Sequence, residues 1–400
     1  MTPRLLQLLL LAATALWAEA ADLPPKVYGV NLGSWYSSWL LIEPWMVDGV
    51  SAASFATIVQ TASPRVALHS VIEAFCPRNT WFNNSDVQQL VSAGINTVRI
   101  PLGYWIVEPL VDRTTEYYVR GGFVQLIRGL GLLKDADIVA ILELHGAPGV
   151  QVPDQPFTGL CTGNVEFYTQ YNYHRALIWT AVLTTFNHLV PEFSNVVAIQ
   201  AVNEPLMDAA LTPDYGTYQT HFVQVVRAVE HALGLSVPKL NLPKPNPHLN
   251  VTAAFEFAIQ QGVYDAEECW GSISSSSPTP LITTFMDFSW QSNHPSNPAD
   301  AAIGSQLYDN HLYLSFGVRV TYSWLQLVSS WMEHYKCRSD VVPDLRVQVT
   351  RDAQVGNTPL VFGEWSLTTG FIASDSFLRQ WADAQKLAYS QGRGLDVLEF

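Results

Sequence analysis

The stretch Asn195–Leu206, NVVAIQAVNEPL, is a short apolar, β-branched run that halts at Asn203-Glu204-Pro205. Such a run, without polar alternation, reads as a strand buried on both faces, the pattern of a parallel sheet covered by helices. About 160 residues later Pro359–Trp365, PLVFGEW, repeats the design and ends in Glu364 beside an indole. A charged residue at the C-terminal mouth of such a strand is where an α/β barrel carries its chemistry.

The rest of the chain alternates in the same way. Val27–Leu32, Asn96–Pro101, Ile138–Leu144, Asn195–Val202, Leu281–Phe288, Asp309–Phe316 and Leu360–Trp365 predict seven strands. Val87–Ala93, Phe123–Lys134, His174–His188, Tyr218–Leu233 and Ser376–Ser390 predict helices, with Ala253–Gly262 a further helical candidate. Pro238–His248 and Gly271–Pro280 have loop compositions. Alternating β and α segments imply βα units. No glycine fingerprint follows the first strand, so a (β/α)8 TIM barrel fits better than an open doubly wound sheet. Leu395–Phe400 is the only segment left for an eighth strand, which is therefore doubtful or truncated.

The 35 acidic residues against 21 basic ones give a net charge of −14, which argues against nucleic acid and anionic membrane as partners. Thirteen Trp and 16 Tyr suit a sugar-binding cleft, and equally a large core. Met1–Ala20 carries Arg4, the apolar run Leu5–Trp17 and the small-residue site Ala18-Glu19-Ala20, the layout of a secretory signal peptide cut after Ala20. Residues 21–400 would then be one catalytic barrel, a monomer that is secreted to the extracellular space or cell wall and has no membrane association. Asn83 and Asn250 head N-x-S/T sites for glycosylation. Export permits disulfides among Cys76, Cys161, Cys269 and Cys337, with three pairings open.

Hydrolysis of a glycosidic bond needs one carboxylic acid to protonate the leaving oxygen and a second carboxylate to attack the anomeric carbon or activate water. Glu204 and Glu364, at the mouths of two strands, have the right chemistry. No H-E-x-x-H pattern occurs and the mechanism needs no metal, so neither metal nor cofactor is expected. A phosphate-binding glycine loop and the G-x-S-x-G of serine hydrolases are missing too.

The motifs GVNLGSW (Gly29–Trp35), INTVRIPLGYW (Ile95–Trp105), LELHGAPG (Leu142–Gly149), VNEP (Val202–Pro205), DNHLY (Asp309–Tyr313) and FGEWS (Phe362–Ser366) resemble, in order, those of glycoside hydrolase family 5, and most of all its fungal exo-β-1,3-glucanase branch. The resemblance runs over nearly the whole chain after the signal segment. It implies a retaining (β/α)8 β-glucan hydrolase with Glu204 as acid/base and Glu364 as nucleophile. It also implies that Arg99 holds the nucleophile, that Asn203 binds the sugar 2-hydroxyl and that His145 lines the subsite of the reacting sugar. His311 and Tyr313, two apart on a strand, would share a face, with His311 near Glu204 and Tyr313 near Glu364. Glu43, in IEPW, matches a carboxylate that binds the terminal glucose of the exo-acting branch, or is a solvated loop acid. Trp45, Trp105 and Trp365 are candidates for sugar stacking or for core. The expected substrate is β-1,3-glucan attacked from its end. β-1,6-Glucan or an endo mode is the alternative within the same fold, and a catalytically inactive glucan-binding wall protein the alternative outside it.

Three departures from the family pattern stand out. Tyr36–Trp39 is inserted after GVNLGSW. Val150-Gln151-Val152 stands where the family has a Ser-Gln-Asn loop. No tryptophan follows Trp381, so the platform of the eighth strand is missing, which raises the expectation of an altered or truncated gene product.

Overall fold

The structure is a computed structural model that describes residues 22–33, 82–116, 118, 122–233, 235–237, 279–291, 303–313, 351–367 and 373–390. Among these residues seven strands form one sheet in chain order. They are β1 (Gly29–Asn31), β2 (Thr97–Gly103), β3 (Val139–Gly146), β4 (Val196–Gln200), β5 (Ile282–Met286), β6 (Gln306–His311) and β7 (Leu360–Glu364). Every neighbouring pair is parallel. The Asn31 side chain on β1 donates to the Gly363 carbonyl on β7 at 2.8 Å, so the two ends of the sheet meet and the sheet curls into a nearly closed barrel. This is the (β/α)8 TIM-barrel class. The segment Leu395–Phe400, the candidate for the eighth strand, lies outside the described residues, as do Met1–Ala20 and Ala253–Gly262.

Among the described residues the α-helices are α1 (Asn84–Ser92), α2 (Gly122–Lys134), α3 (Gln170–Leu189), α4 (Tyr215–Ala232), the single turn α5 (Phe288–Gln291) and α6 (Asp375–Ser390). Asn83 caps α1: its carboxamide oxygen accepts from Ser85 N–H at 2.7 Å, and Asp86 accepts from Asn83 N–H at 2.9 Å. That reciprocal pair satisfies donors that a helix start otherwise leaves open. Helix α3 starts earlier than its apolar spacing predicts, because Thr169 supplies the N-cap and accepts from Asn172 N–H at 3.3 Å. Its 20 residues are buried on most sides, so the boundary between its faces is weak in the sequence.

Two apolar clusters divide the barrel. The larger packs the outward side chains of the strands, such as Val98, Ile100, Leu142 and Phe362, against the helices. The smaller joins Val27, Val139, Ile141, Val197, Leu307 and Val361. Successive side chains along a strand alternate faces. The alternation that gives Val139 and Ile141 therefore leads on to Glu143 and His145, and that which gives Leu307 leads on to Asp309 and His311. The small cluster is the floor on which the polar groups stand. Fully burying each such aliphatic side chain contributes about 1.5–3 kcal/mol.

Strand β6 corrects one expectation. It spans Gln306–His311 rather than Asp309–Phe316, three residues earlier at its start. The run of Asp309, Asn310 and His311 is polar yet buried within the ladder, so an apolar pattern misplaces the strand. Tyr313 follows the strand instead of lying on it. Among the described residues no helix is long and apolar enough to cross a membrane. Cys161 is exposed, while Cys76, Cys269, Cys337 and Asn250 lie outside the described residues.

Candidate active site

The C-terminal ends of the strands converge on Arg99 of β2. Its guanidinium is only 2% exposed, and a cation so buried is costly without partners. Partners surround it. Nη1 donates to Glu364 Oε1 at 3.0 Å and to Asn31 Oδ1 at 3.2 Å, and it lies 3.2 Å from Glu143 Oε1. Nη2 donates to Asn203 Oδ1 at 2.8 Å and to Gln200 Oε1 at 3.4 Å. Nε lies 3.2 Å from Asp309 Oδ2. One fork thus links strands β1, β2, β3, β4, β6 and β7, a task for which a lysine lacks the geometry.

Glu364, the last residue of β7, also accepts from the Tyr313 hydroxyl at 2.6 Å, and His311 Nδ1 lies 3.4 Å from its Oε2. Burial pushes the Glu364 carboxyl up. His311, Arg99 and His145, together with the Tyr313 hydrogen bond, outweigh burial and hold it at about 2. This carboxyl is ionised at any ordinary pH.

Glu204 lies just beyond β4. Its Oε1 is 2.6 Å from His311 Nδ1, and its side chain is 18% exposed, open to whatever enters the mouth. One ligand atom each from Glu204, His311 and Glu364 lies within 4.8 Å of the others, so an oxygen of each glutamate is within that distance of the other. The three could in principle hold a metal ion. They already serve one another, since His311 Nδ1 bridges the two carboxylates while its Nε2 faces Asp309 Oδ2 at 3.4 Å. Burial pulls the His311 pKa down, but Glu364 and Asp309 pull harder and leave it well above the usual histidine value. His145 Nδ1 sits 2.6 Å from Glu143 Oε1. Burial again acts downward there, and Glu143 followed by Glu364 reverses it, so His145 is raised as well.

Backbone geometry also marks Glu204. Its φ is 38°, in the left-handed region, where a residue with a Cβ costs about 1–3 kcal/mol and persists only if its surroundings enforce it. Gly363, beside Glu364, is required for another reason. Its N–H donates to Asp309 Oδ1 at 2.8 Å, and a Cβ at this position would overlap that carboxylate.

The structure thus brings Arg99, Asn203, Glu204, His311, Tyr313 and Glu364 into one hydrogen-bonded network, with His145 joined to it through Glu143. Glu43 and Trp45 lie outside the described residues. Trp105 and Trp365 are not stacking faces: they are 2% and 0% exposed and belong to the core. The sequence reading missed Glu143, Asp309 and Asn31, although the first two are two residues before His145 and His311 and so share their faces. It also missed Trp290 on α5, whose half-buried indole packs edge-on to His311 with centroids 6.1 Å apart.

A parallel α/β barrel with facing glutamates at its C-terminal mouth, one of them held ionised, is the architecture of a glycoside hydrolase. Residues 62–393 match the model for Cellulase (glycosyl hydrolase family 5), and the chain belongs to that family. The glucan endo-1,6-beta-glucosidase B of Emericella nidulans is 30% identical over 96% of this chain and 81% of its own length. The probable glucan 1,3-beta-glucosidase A of the same organism is 35% identical, but over only 38% of this chain and 37% of its own. Among solved structures, the rutinosidase from Aspergillus niger superposes with a TM-score of 0.56 at 16% identity, covering 93% of this chain and 88% of that one, a likeness of fold.

Proposed function

We propose that this chain is a retaining β-glucan hydrolase in which Glu364 is the nucleophile and Glu204 the acid/base. The observation that carries the reading is the short distance between the two carboxylates, within 4.8 Å between oxygens. Retaining enzymes keep their carboxyl groups about 5–5.5 Å apart, whereas inverting ones leave about 6.5–9.5 Å for a water. The ionised state of Glu364 supports its part, because a nucleophile must be a carboxylate.

In the first step a Glu364 oxygen attacks the anomeric carbon while Glu204 gives its proton to the departing glycosidic oxygen. The C–O bond to the leaving sugar breaks and an ester to Glu364 forms. In the second step Glu204 takes a proton from water, the water oxygen attacks the same carbon, and Glu364 leaves as a carboxylate. Arg99 and Tyr313 hold Glu364 in line. Arg99 also holds the Asn203 side-chain oxygen, which leaves the Asn203 NH2 as the donor for the sugar 2-hydroxyl contact that the family resemblance implies. The half-buried Trp290 offers an aromatic ring beside His311.

For the linkage, β-1,6-glucan cut internally is favoured. The relatives that align over 92% and 96% of this chain are named probable glucan endo-1,6-beta-glucosidase B and glucan endo-1,6-beta-glucosidase B. Those named glucan 1,3-beta-glucosidases align over 38% and 45% of it. Exo-attack on β-1,3-glucan is the second reading and rests on Glu43 in IEPW. A purely glucan-binding protein has no use for an opposed acid and nucleophile. The leader-like Met1–Ala20 segment supports a secreted enzyme.

A 2-deoxy-2-fluoro glycoside with a good leaving group should stop turnover and add one fluoroglycosyl mass to the peptide that holds Glu364. Labelling of another residue would overturn the assignment. Reducing sugar released from β-1,6-glucan against β-1,3-glucan, by the wild type beside Glu364→Gln, decides the linkage.

A further inference from the structure

The φ of 38° at Glu204 needs something to enforce it. Rotation about the N–Cα bond of Glu204 is set by the plane of the Asn203–Glu204 peptide, and the carbonyl of that peptide accepts from Gln151 Nε2 at 3.1 Å. The other Nε2 proton goes to the His145 carbonyl at 2.6 Å, and Oε1 accepts from Ala147 N–H at 3.1 Å. Gln151 is fully buried, so its carboxamide staples the mouth end of β3 to the peptide that precedes Glu204. Two residues after Glu204, Leu206 N–H donates to the Tyr168 hydroxyl at 2.6 Å, and that hydroxyl donates to the Gln151 carbonyl at 2.9 Å. The Glu204 backbone is therefore gripped on both sides by one two-residue unit.

The loop that carries Gln151 is itself constrained. Gly149 and Val150 have φ values of 76° and 65°, and a left-handed valine is an outlier for a β-branched residue. Gly149 and Val150 carbonyls accept from Glu166 and Phe167 N–H at 2.6 and 3.3 Å, which pins the loop to the segment that carries Tyr168. This is the place where the sequence reads Val-Gln-Val.

We propose that Gln151 and Tyr168 form a positioning strap that holds the Glu204 backbone in its left-handed turn, so that the carboxyl meets the glycosidic oxygen. Neither residue reaches the mouth; both act through Glu204. The proposal rests on Glu204 being the acid/base. It follows that loosening the strap weakens proton delivery and leaves the nucleophilic half of the site intact.

The test compares two glycosides of gentiobiose, the β-1,6-linked glucose disaccharide. One has a sugar leaving group that must be protonated. The other carries 2,4-dinitrophenolate, which departs without a proton. Tyr168→Phe is the main variant, because its ring keeps the packing against Phe167, Tyr173 and Tyr215. Gln151→Met is the second, with similar length and no hydrogen bonds, and melting curves establish that each is folded. The expected result is a loss of about 30- to 300-fold in kcat on the sugar glycoside, with KM within about threefold, around the lower end of the roughly 100- to 10,000-fold that general acid catalysis supplies, because the acid is misplaced and not removed. Release of dinitrophenolate in the first turnover stays within about threefold of wild type. Azide, which attacks the glycosyl-Glu364 ester without needing a base, restores turnover and yields a glycosyl azide. Equal losses on both glycosides in a folded variant would overturn the strap, and so would no loss on either. Glu204→Ala serves as the reference: if it lacks the same dependence on leaving group, the acid/base assignment itself has failed.

Discussion

The Arg99 guanidinium donates to Glu364 at 3.0 Å from a position almost sealed from solvent. The same fork holds Asn203 and faces Asp309 and Glu143, so a single cation keeps the proposed nucleophile charged and orients a sugar-binding amide. Replacing it leaves buried carboxylates without their counter-ion, which costs about 3–5 kcal/mol. Arg99→Met is therefore expected to lower the melting temperature. It should also move the acidic limb of the kcat/KM profile upward, because loss of a neighbouring cation raises a carboxyl pKa. Glu364 sits at about 2 partly through Arg99, so a variant with an unmoved acidic limb would show that the ion pair does not govern that carboxyl.

A second pair of carboxyls sets the response to pH. Asp287, just past β5, is wholly buried and accepts from Asn310. Burial, then the charge of Asp352, pushes Asp287 up to about 7, and burial pushes Asp352 up to about 6. A carboxyl with a raised pKa binds more protons folded than unfolded, so stability falls as pH rises from about 4 to about 7. His311, raised in the fold, acts in the same direction: its contribution is complete below about 6.5 and disappears as pH passes its folded value. Glu364 has the opposite sign, with a contribution present above its ordinary 4.5 and lost as pH falls toward 2. Melting temperature should thus peak in mild acid and decline by pH 7.5. Asp287→Asn keeps an acceptor oxygen and removes the titration. It should stabilise the fold on the order of 3 kcal/mol at pH 7.5, with the gain shrinking toward pH 4. A gain that does not change with pH would mean that Asp287 is not the titrating group.

Trp290 lies edge-on to His311 at 6.1 Å and is only partly buried. An aromatic face of this kind contributes about 0.5–1.5 kcal/mol to a stacked partner. Trp290→Ala should raise KM for gentio-oligosaccharides about two- to tenfold with little change in kcat. Trp290→Phe should recover part of the loss. A fall in kcat at constant KM would assign the indole to His311 instead of to substrate.

How legible the protein is from sequence differs from element to element. Strands β3, β4 and β7 are plain because strands buried on both faces become apolar runs, and Glu204 and Glu364 stand out where those runs stop. Strand β6 is misplaced by three residues at its start because its buried side chains are the polar groups of the site, which imitate a loop. Trp105 and Trp365 look like sugar platforms by type and are core by burial, a distinction that residue identity cannot make. Glu143 and Asp309 were hidden because they support other residues: their role appears only when Arg99 is seen between them. Gln151 and Tyr168 reach Asn203 and Leu206 across 52 and 38 residues, a separation at which no local pattern speaks.

The stereochemistry of the first product tests the central claim most directly. β-1,6-Glucan, or a gentio-oligosaccharide, is digested in an NMR tube and the anomeric protons are followed before mutarotation. Carboxylate oxygens within 4.8 Å of each other match the spacing of a retaining pair and fall short of the roughly 6.5–9.5 Å of an inverting one, so the new reducing end is expected to appear first as the β-anomer. If the α-anomer appears first, the reaction inverts, and Glu364 cannot be the nucleophile of a double displacement.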